Sequence, residues 1–315
     1  MSILRAAERA TYGEDASLAI AGAGVAGLAA FIQARRLGIE PVVIEERLAG
    51  GALIGGRLVE NYPGVRACTG GDLAGRMVSQ AEAMGLNILH DRVEELDAVF
   101  PWRLNLASGK RISARAVILA TGQKPAVPAP LKPLEGTGVL LFPAMFDPGE
   151  WRGRSVVVIG GGDVAFDQAL LLADNGAIAE IVCRSAPRCL PALRREALLR
   201  GIRLRQGYSP SACSYGPPLS LTFETAGRAG ALLKIDAEGA LVAVGRRPAP
   251  PKIRLPNGAA FDIGPPAPGD ALPAGLFLAG DLNRGNVRQA VVAAGDGCAA
   301  AIAAFDYLRG QRASS

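Results

Sequence analysis

The chain has 315 residues, half of them apolar, a fifth charged and only 5% aromatic. At roughly 150 residues per domain that length suggests about two domains, and the composition excludes a disordered or collagen-like chain. The net charge of +5 is carried almost wholly by arginine spread along the sequence. With no Lys/Arg-rich block, it argues against a nucleic-acid partner and points only weakly to an acidic one.

Five cysteines, Cys68, Cys183, Cys189, Cys213 and Cys298, form no C-x-x-C pair and no zinc spacing, which fits a reducing, cytoplasmic setting. A single histidine, His90, leaves no His-based metal site and no Ser-His-Asp triad, so no metal is expected. The N-terminus lacks the basic start and continuous apolar core of a signal peptide. No window reaches the roughly 18 to 20 uninterrupted apolar residues of a membrane span. The nearest run, Leu18 to Ile32, is broken by three glycines.

In chain order, residues 1 to 16 are polar and Ala-rich and read as a short helix. Leu18 to Ala21 reads as a buried strand running into Gly22-Ala23-Gly24-Val25-Ala26-Gly27, then a helix to about Leu37 and a second strand, Pro41 to Ile44, ending in Glu45-Glu46. The same syntax returns. Ser155 to Ile159 is a strand, Gly160-Gly161-Gly162-Asp163-Val164-Ala165 a turn, and a helix runs to about Asn175 before the strand Glu180 to Cys183 ends in Arg184. Two β-α-β units of similar length predict two Rossmann-like, three-layer α/β domains.

Each turn has the chemistry of a pyrophosphate site. Gly22 and Gly160 allow the tight turn, Gly24 and Gly162 let backbone approach the ligand, and Gly27 and Ala165 permit close helix packing. The helix N-terminus then presents free N–H groups to the anion. With 40 glycines a lone G-x-G-x-x-G match is close to chance. Gly295 to Ala300 is such a decoy, with no strand before it, whereas the strand context lifts the other two above a structural turn.

The ends of the second strands separate the two ligands. Glu45, about 20 residues past its glycines, can accept hydrogen bonds from a ribose diol, which suits FAD or NAD. The equivalent position of the second unit is Arg184, with Ser185 and Arg188 beside it. Cations there can pair with a 2′-phosphate, so NADPH is preferred over NADH; the alternative reading is solvated strand-end residues.

Together these residues resemble the low-molecular-weight thioredoxin reductases and their flavoprotein relatives over nearly the whole chain. The resemblance rests on Gly22 to Gly27, Gly50-Gly51, Glu60-Asn61-Tyr62-Pro63-Gly64, Ala120-Thr121-Gly122, Gly160 to Ala165, Val244-Gly245-Arg246-Arg247-Pro248, Gly280-Asp281 and Arg288-Gln289-Ala290. It implies an FAD domain from residues 1–123 and 246–315 with an NAD(P)H domain, 124–245, inserted in it. It also implies a homodimer. By the same resemblance Gly51 and Gly122 belong to the FAD site, Asp281 binds the ribityl chain, and Asn61 lies beside the flavin. Arg288, Gln289 and Ala290 approach the flavin from a helix N-terminus, where the dipole would stabilise a reduced anion.

One departure stands out. Thioredoxin reductases carry a C-x-x-C-D segment before the second nucleotide strand, and the matching positions here are Pro143-Ala144-Met145-Phe146-Asp147. The aspartate is present and both thiols are missing. A dithiol cycle needs an attacking and a resolving thiolate, so the resemblance implies an FAD oxidoreductase passing electrons directly to an external acceptor. Candidates are an acidic ferredoxin or flavodoxin, a quinone or another small oxidant; ferredoxin–NADP reductases of the same fold also lack the dithiol. Those enzymes carry a C-terminal extension over the flavin, and with seven residues after Leu308 no such lid is expected. The alternatives are a non-turnover FAD-binding redox sensor or partner-dependent subunit, and a disulfide reductase borrowing thiols from a partner or using Cys68. Phe146 and Met145 are candidates for the flavin face or for core packing, with Asp147 beside them.

Overall fold

The computed structural model describes residues 15–225, 230–263, 272–285 and 287–313. Among them are five α-helices: α1 (Val25–Arg36), α2 (Gly70–Ala83), α3 (Asp163–Asp174), α4 (Pro191–Leu199) and α5 (Ala290–Ala313). The chain divides into two compact units. The first is Met1–Ile54, Glu60–Gln123 and Pro248–Ser315; the second is Gly55–Val59 and Lys124–Arg247. The sequence-expected boundaries placed 55–59 with the first unit and ended the insert at 245.

The first unit is built on the strand Asp15–Ala21, which pairs in parallel with Val42–Glu45 on one side and with Arg111–Leu119 on the other. It reaches back to Asp15 because Asp15 and Ala16 pair with Ser113 and Ala114 of the long neighbouring strand. Residues 15 and 16 are thus strand, and the rest of the expected N-terminal helix lies outside the described residues. The strand is apolar without alternation because both faces are covered. Leu18 and Ile20 enter a core with Leu28 and Phe31 of α1, Met77 and Ala81 of α2, and Ala301 and Ala304 of α5. Ala19 and Ala21 enter the opposite core with Trp102, Leu104 and Ile112. The strand Arg111–Leu119 splits its far edge: residues 111–114 pair antiparallel with Trp102–Leu106, and Val117 to Leu119 pair in parallel with Leu276–Leu278.

Small residues let α1 and α5 approach closely. A Cβ at Gly297 would lie 2.1 Å from the Ala26 carbonyl oxygen, so the decoy glycine motif in α5 is a helix-packing motif. By length and composition Ala290–Gln311 could cross a membrane, which makes it a stronger candidate than Leu18 to Ile32. Here Ala293, Ala300, Ala301, Ala304 and Leu308 are buried in the first unit, and a third of the span is buried.

The second unit holds a five-stranded parallel sheet in the order Arg203–Gln206, Ile178–Cys183, Ser155–Ile159, Gly239–Val242, Leu140–Leu141. Val156 and Val158 face α3 and α4, while Val157 and Ile159 face a three-stranded antiparallel sheet through Leu219, Leu221 and Phe223. This helix–sheet–sheet layering places the start of α3 at the carboxyl edge of the parallel strands, where ligands bind in such sheets.

Candidate functional site

The first glycine turn joins Asp15–Ala21 to α1. Gly22 has φ +103°, and a Cβ there would lie 2.4 Å from the Ala120 carbonyl oxygen; one at Gly27 would lie 1.8 Å from the Gly22 oxygen. Both positions need glycine for close approach. Gly24 is different: it is the N-cap of α1, has no side chain to cap the free N–H groups, and has nothing within 4 Å of its Cβ position. That leaves an open, uncapped helix N-terminus, the geometry a pyrophosphate takes. Gly51 lies against it, its Cβ position 3.1 Å from the Gly24 Cα. Glu45 ends the second strand with its carboxylate on the turn, Oε2 accepting from Ala23 N–H at 2.7 Å and Oε1 from Arg47 N–H at 2.8 Å. Each oxygen keeps lone-pair capacity for a further donor such as a ribose hydroxyl.

The other sequence-selected residues of this unit fall on three segments. Ala120 to Gly122 follows the strand Arg111–Leu119, and Asp281 sits in the short 3₁₀ turn Gly280–Leu282. Gln123 connects them, its Nε2 donating to the Asp281 carbonyl at 2.9 Å. Sequence reasoning passed over Gln123, although it directly follows the Ala-Thr-Gly signature. Around this link Thr121 Oγ1, Gln123 Oε1 and Asn283 Oδ1 are buried without a hydrogen-bond partner. Buried orphan polar atoms imply a missing polar partner, and the FAD expected here carries such groups. Asn61 and Gln289 meet directly, Asn61 Nδ2 donating to Gln289 Oε1 at 2.6 Å. Gln289 also caps α5 through its carbonyl, which accepts from Ala293 N–H, while Arg288 turns back to the Gly285 carbonyl. Ala290 is the first residue of α5. Beside Asn61, burial pushes the Tyr62 phenol up, with Cys298 adding to the effect.

The second turn repeats the plan. Gly160 has φ +151°, and a Cβ there would lie 2.4 Å from the Ala243 oxygen and 3.1 Å from the Ala165 Cβ. Gly162 is the uncapped N-cap of α3, again with nothing within 4 Å. Ala165 is fully buried, so this turn accommodates a methyl where the first demands glycine. Arg184, Ser185 and Arg188 are exposed on the loop after Ile178–Cys183, and among the described residues neither arginine has an ion-pair partner. The loop folds back on the turn: Arg188 N–H donates to the Gly161 carbonyl at 2.7 Å and Leu190 N–H to Asp163 Oδ1 at 2.7 Å. Two unpaired guanidinium groups beside an open helix N-terminus fit a dinucleotide with a 2′-phosphate.

At the Pro143–Asp147 segment, Phe146 packs half-buried against the α3 side of the second unit's core. Met145 is 49% exposed, so core packing is not its role. Asp147 caps the 3₁₀ turn Pro148–Trp151, accepting from Gly149 N–H at 2.8 Å. Ala144 holds φ +64°, a strained position for a side-chain-bearing residue.

The second unit also contains a charge cluster that sequence reading did not single out. Arg57, 14% exposed, pairs through Nε with Asp174 at 2.6 Å and through Nη2 with Glu196 at 2.5 Å, and its N–H donates to Asp167. Burial works upward on Asp174, but the Arg57 hydrogen bond and charge outweigh it and hold that carboxyl below the usual range. Burial wins at Asp167 and pushes it up, despite the Arg57 N–H. No local motif marks Arg57; its partners lie more than a hundred residues downstream.

Two glycine turns, each opening a helix from a strand with parallel neighbours, define a two-domain dinucleotide-binding α/β protein. The chain belongs to the pyridine nucleotide-disulphide oxidoreductase family, whose model matches residues 16–297. It is similar to the thioredoxin reductase of Streptomyces clavuligerus, 30% identical over 92% of each chain. The bifunctional thioredoxin reductase/thioredoxin of Mycobacterium leprae is 32% identical over 92% of this chain and 65% of its own length. In fold it is similar to the Lactococcus lactis and T. acidophilum thioredoxin reductases, with TM-scores of 0.79 and 0.78 and identities of 21% and 22%. These matches cover 94% and 93% of this chain and 99% of each structure. The chain is thus a thioredoxin reductase-like flavoprotein oxidoreductase with FAD and NADPH as its cofactors.

Proposed function

We propose that the first unit holds FAD and the second NADPH, and that electrons leave the protein directly for an external acceptor without an internal dithiol. The observation that carries this reading is the Pro143–Asp147 segment: where thioredoxin reductase-like chains would place two thiols, a proline and a core-packed Phe146 stand, with Asp147 used as a cap. FAD would supply hydride acceptance and electron release. The chain's own residues bind and orient. Gly24 and the α1 N-terminus receive the pyrophosphate, Glu45 the ribose, and Asp281 with the Thr121 and Asn283 oxygens the polar chain beyond it. The Asn61–Gln289 pair and Ala290 would hold the α5 N-terminus beside the flavin, where its partial positive charge would favour negative charge.

In the second unit Gly160, Gly162 and Ala165 receive the pyrophosphate, and Arg184, Ser185 and Arg188 read the 2′-phosphate. The hydride chemistry these cofactors would supply when bound would ask of the chain positioning and no protein acid, so the single histidine is no obstacle. The positive net charge favours an acidic redox protein, such as a ferredoxin or flavodoxin, through steering at low ionic strength; a quinone is the small-molecule alternative. A cytoplasmic homodimer fits the thioredoxin reductase-like relatives. The names of those relatives support a second reading, in which a partner such as a thioredoxin supplies the disulfide.

Anaerobic stopped-flow of the yellow protein with NADPH and with NADH, followed at about 450 nm, tests the proposal. Fast bleaching by NADPH, slower by NADH, is expected; reoxidation by added ferredoxin, flavodoxin or quinone, against thioredoxin, then identifies the acceptor. No bleaching by either nucleotide would overturn the reductase reading in favour of a redox sensor.

A further inference from the structure

Two of the five cysteines frame the loop that carries Arg184, Ser185 and Arg188. Cys183 is the last residue of Ile178–Cys183 and Cys189 lies just before α4. Strand alternation puts Cys183 on the same face as Ile181, which packs with α3 and α4, and Cys189 packs against that same core. Gly161 lies between them. A Cβ on Gly161 would lie 3.1 Å from the Cys183 Cβ, 3.7 Å from its Sγ and 3.7 Å from the Pro187 Cα. The residue preceding Cys189 donates its N–H to the Gly161 carbonyl at 2.7 Å. The loop therefore leaves Gly161 at Cys183 and returns to it at Pro187 and Arg188, the two residues before Cys189.

The thiol of Cys183 is already coupled to this loop, since its Sγ donates to the Ser185 carbonyl at 3.2 Å. Cys183 is 4% exposed and Cys189 half-buried, so the outer thiol meets solvent first. Cys189 lies two residues before the first residue of α4, and the Arg194 charge reaches both thiols. Burial nonetheless pushes both thiols up, Asp163 adding to it at Cys189 and Cys189 at Cys183, so their reaction is expected to speed up as pH rises.

We propose that Cys183 and Cys189 form a reversible disulfide that switches pyridine-nucleotide binding at the second turn; the switching half rests on the reading that this unit holds NADPH. The oxidant is hydrogen peroxide. Cys189 sulfur attacks the peroxide, the S–O bond forms as the O–O bond breaks, and one water leaves. Cys183 sulfur then attacks Cys189, the S–S bond forms as S–O breaks, and the hydroxide departs with the Cys183 proton as a second water. Two thiols lose two electrons and the peroxide gains them; an external dithiol reverses the reaction by exchange. Oxidation removes the Cys183–Ser185 hydrogen bond and draws the Cys189 end of the loop toward the strand, displacing Ser185 and Arg188 from the turn.

The test uses the holoprotein, reduced, freed of reductant, treated with hydrogen peroxide and alkylated. Trypsin cuts after Arg154, Arg184, Arg188 and Arg194, so peptides 155–184 and 189–194 stay joined only by the proposed bond. Mass spectrometry is expected to find that linked pair, absent after dithiothreitol and absent in C189S. Calorimetric titration with NADP⁺ is expected to show about tenfold weaker binding after oxidation, the scale of one lost charge-assisted hydrogen bond, with C189S insensitive to peroxide. Both cysteines recovered alkylated, or joined to other cysteines, would overturn the pairing. A linked pair with unchanged NADP⁺ affinity would overturn the switch. If even the reduced protein fails to bind NADP⁺, the nucleotide assignment of this unit is what fails, while peptide mapping still decides the pairing.

Discussion

Asn61 and Gln289 stand 228 residues apart in sequence, yet the amide of one donates to the amide oxygen of the other at 2.6 Å. The bond ties the Glu60-Asn61-Tyr62-Pro63-Gly64 loop to the first turn of α5, within one unit. Its solvent exposure limits it to about 0.5–1 kcal/mol. N61A and Q289A are each expected to lower stability by roughly that amount and the double variant by less than the sum. Additive losses in urea titrations would show that the two residues act separately.

The glycines of the first turn have different tasks, and their alanine variants should separate. G27A drives a methyl to 1.8 Å from the Gly22 oxygen, so little folded yellow protein is expected. G24A meets no atom of the protein; it should fold with nearly unchanged melting temperature but retain less FAD, because the methyl occupies the pyrophosphate's place. Equal FAD content in G24A and the parent protein would remove the site from Gly24.

Arg57 neutralises two partly solvated carboxylates, so R57A is expected to cost roughly 1–3 kcal/mol, discounted from a fully buried pair. The acid behaviour of its neighbours should differ in sign. Asp174 titrates below its ordinary 3.8 when folded, so its contribution is fully present above that value and lost as pH falls through the lower, folded one. Asp167 is raised above 3.8; its charge costs stability at neutral pH, and the cost is relieved as pH falls through the raised value. D174N should therefore destabilise at about pH 7, while D167N should be neutral or stabilising, the two variants converging as pH falls below the lowered, folded value of Asp174. Urea midpoints across that range check it; the same sign for both would contradict the assignment.

If Arg188 reads a 2′-phosphate, R188A should weaken NADPH by about tenfold or more and leave NADH nearly unchanged. Flavin-reduction rates at sub-saturating nucleotide give the ratio. A parallel loss for both nucleotides would mean that Arg188 supports the loop and does not read the phosphate.

The two turns were legible because their glycines obey a local rule: strand, tight turn, helix, with the close approaches at Gly22, Gly27 and Gly160 demanding no side chain. Glu45 and Arg184 were legible for the same reason, each at the end of the next strand. The Arg57 cluster was not, since its partners at 174 and 196 come together only through the packing of α3 and α4. Gln123 was hidden differently: its partner is the Asp281 main-chain carbonyl, and any residue offers one. Of the two places open to Met145, core packing falls, because hydrophobicity alone does not say which side of a loop a residue faces.

The excursion of residues 55–59 makes the second unit a poor candidate for transplantation. A fragment cut at 124 and 247 would deprive Gln168, 2% exposed, of the Gly55 carbonyl its Nε2 meets at 2.6 Å. It would also leave only the more solvated Arg200 to serve both Asp174 and Glu196. Such a piece would be expected to aggregate or melt unless those carboxylates and that amide were redesigned, so grafting this nucleotide module onto another host means carrying two ribbons of sequence.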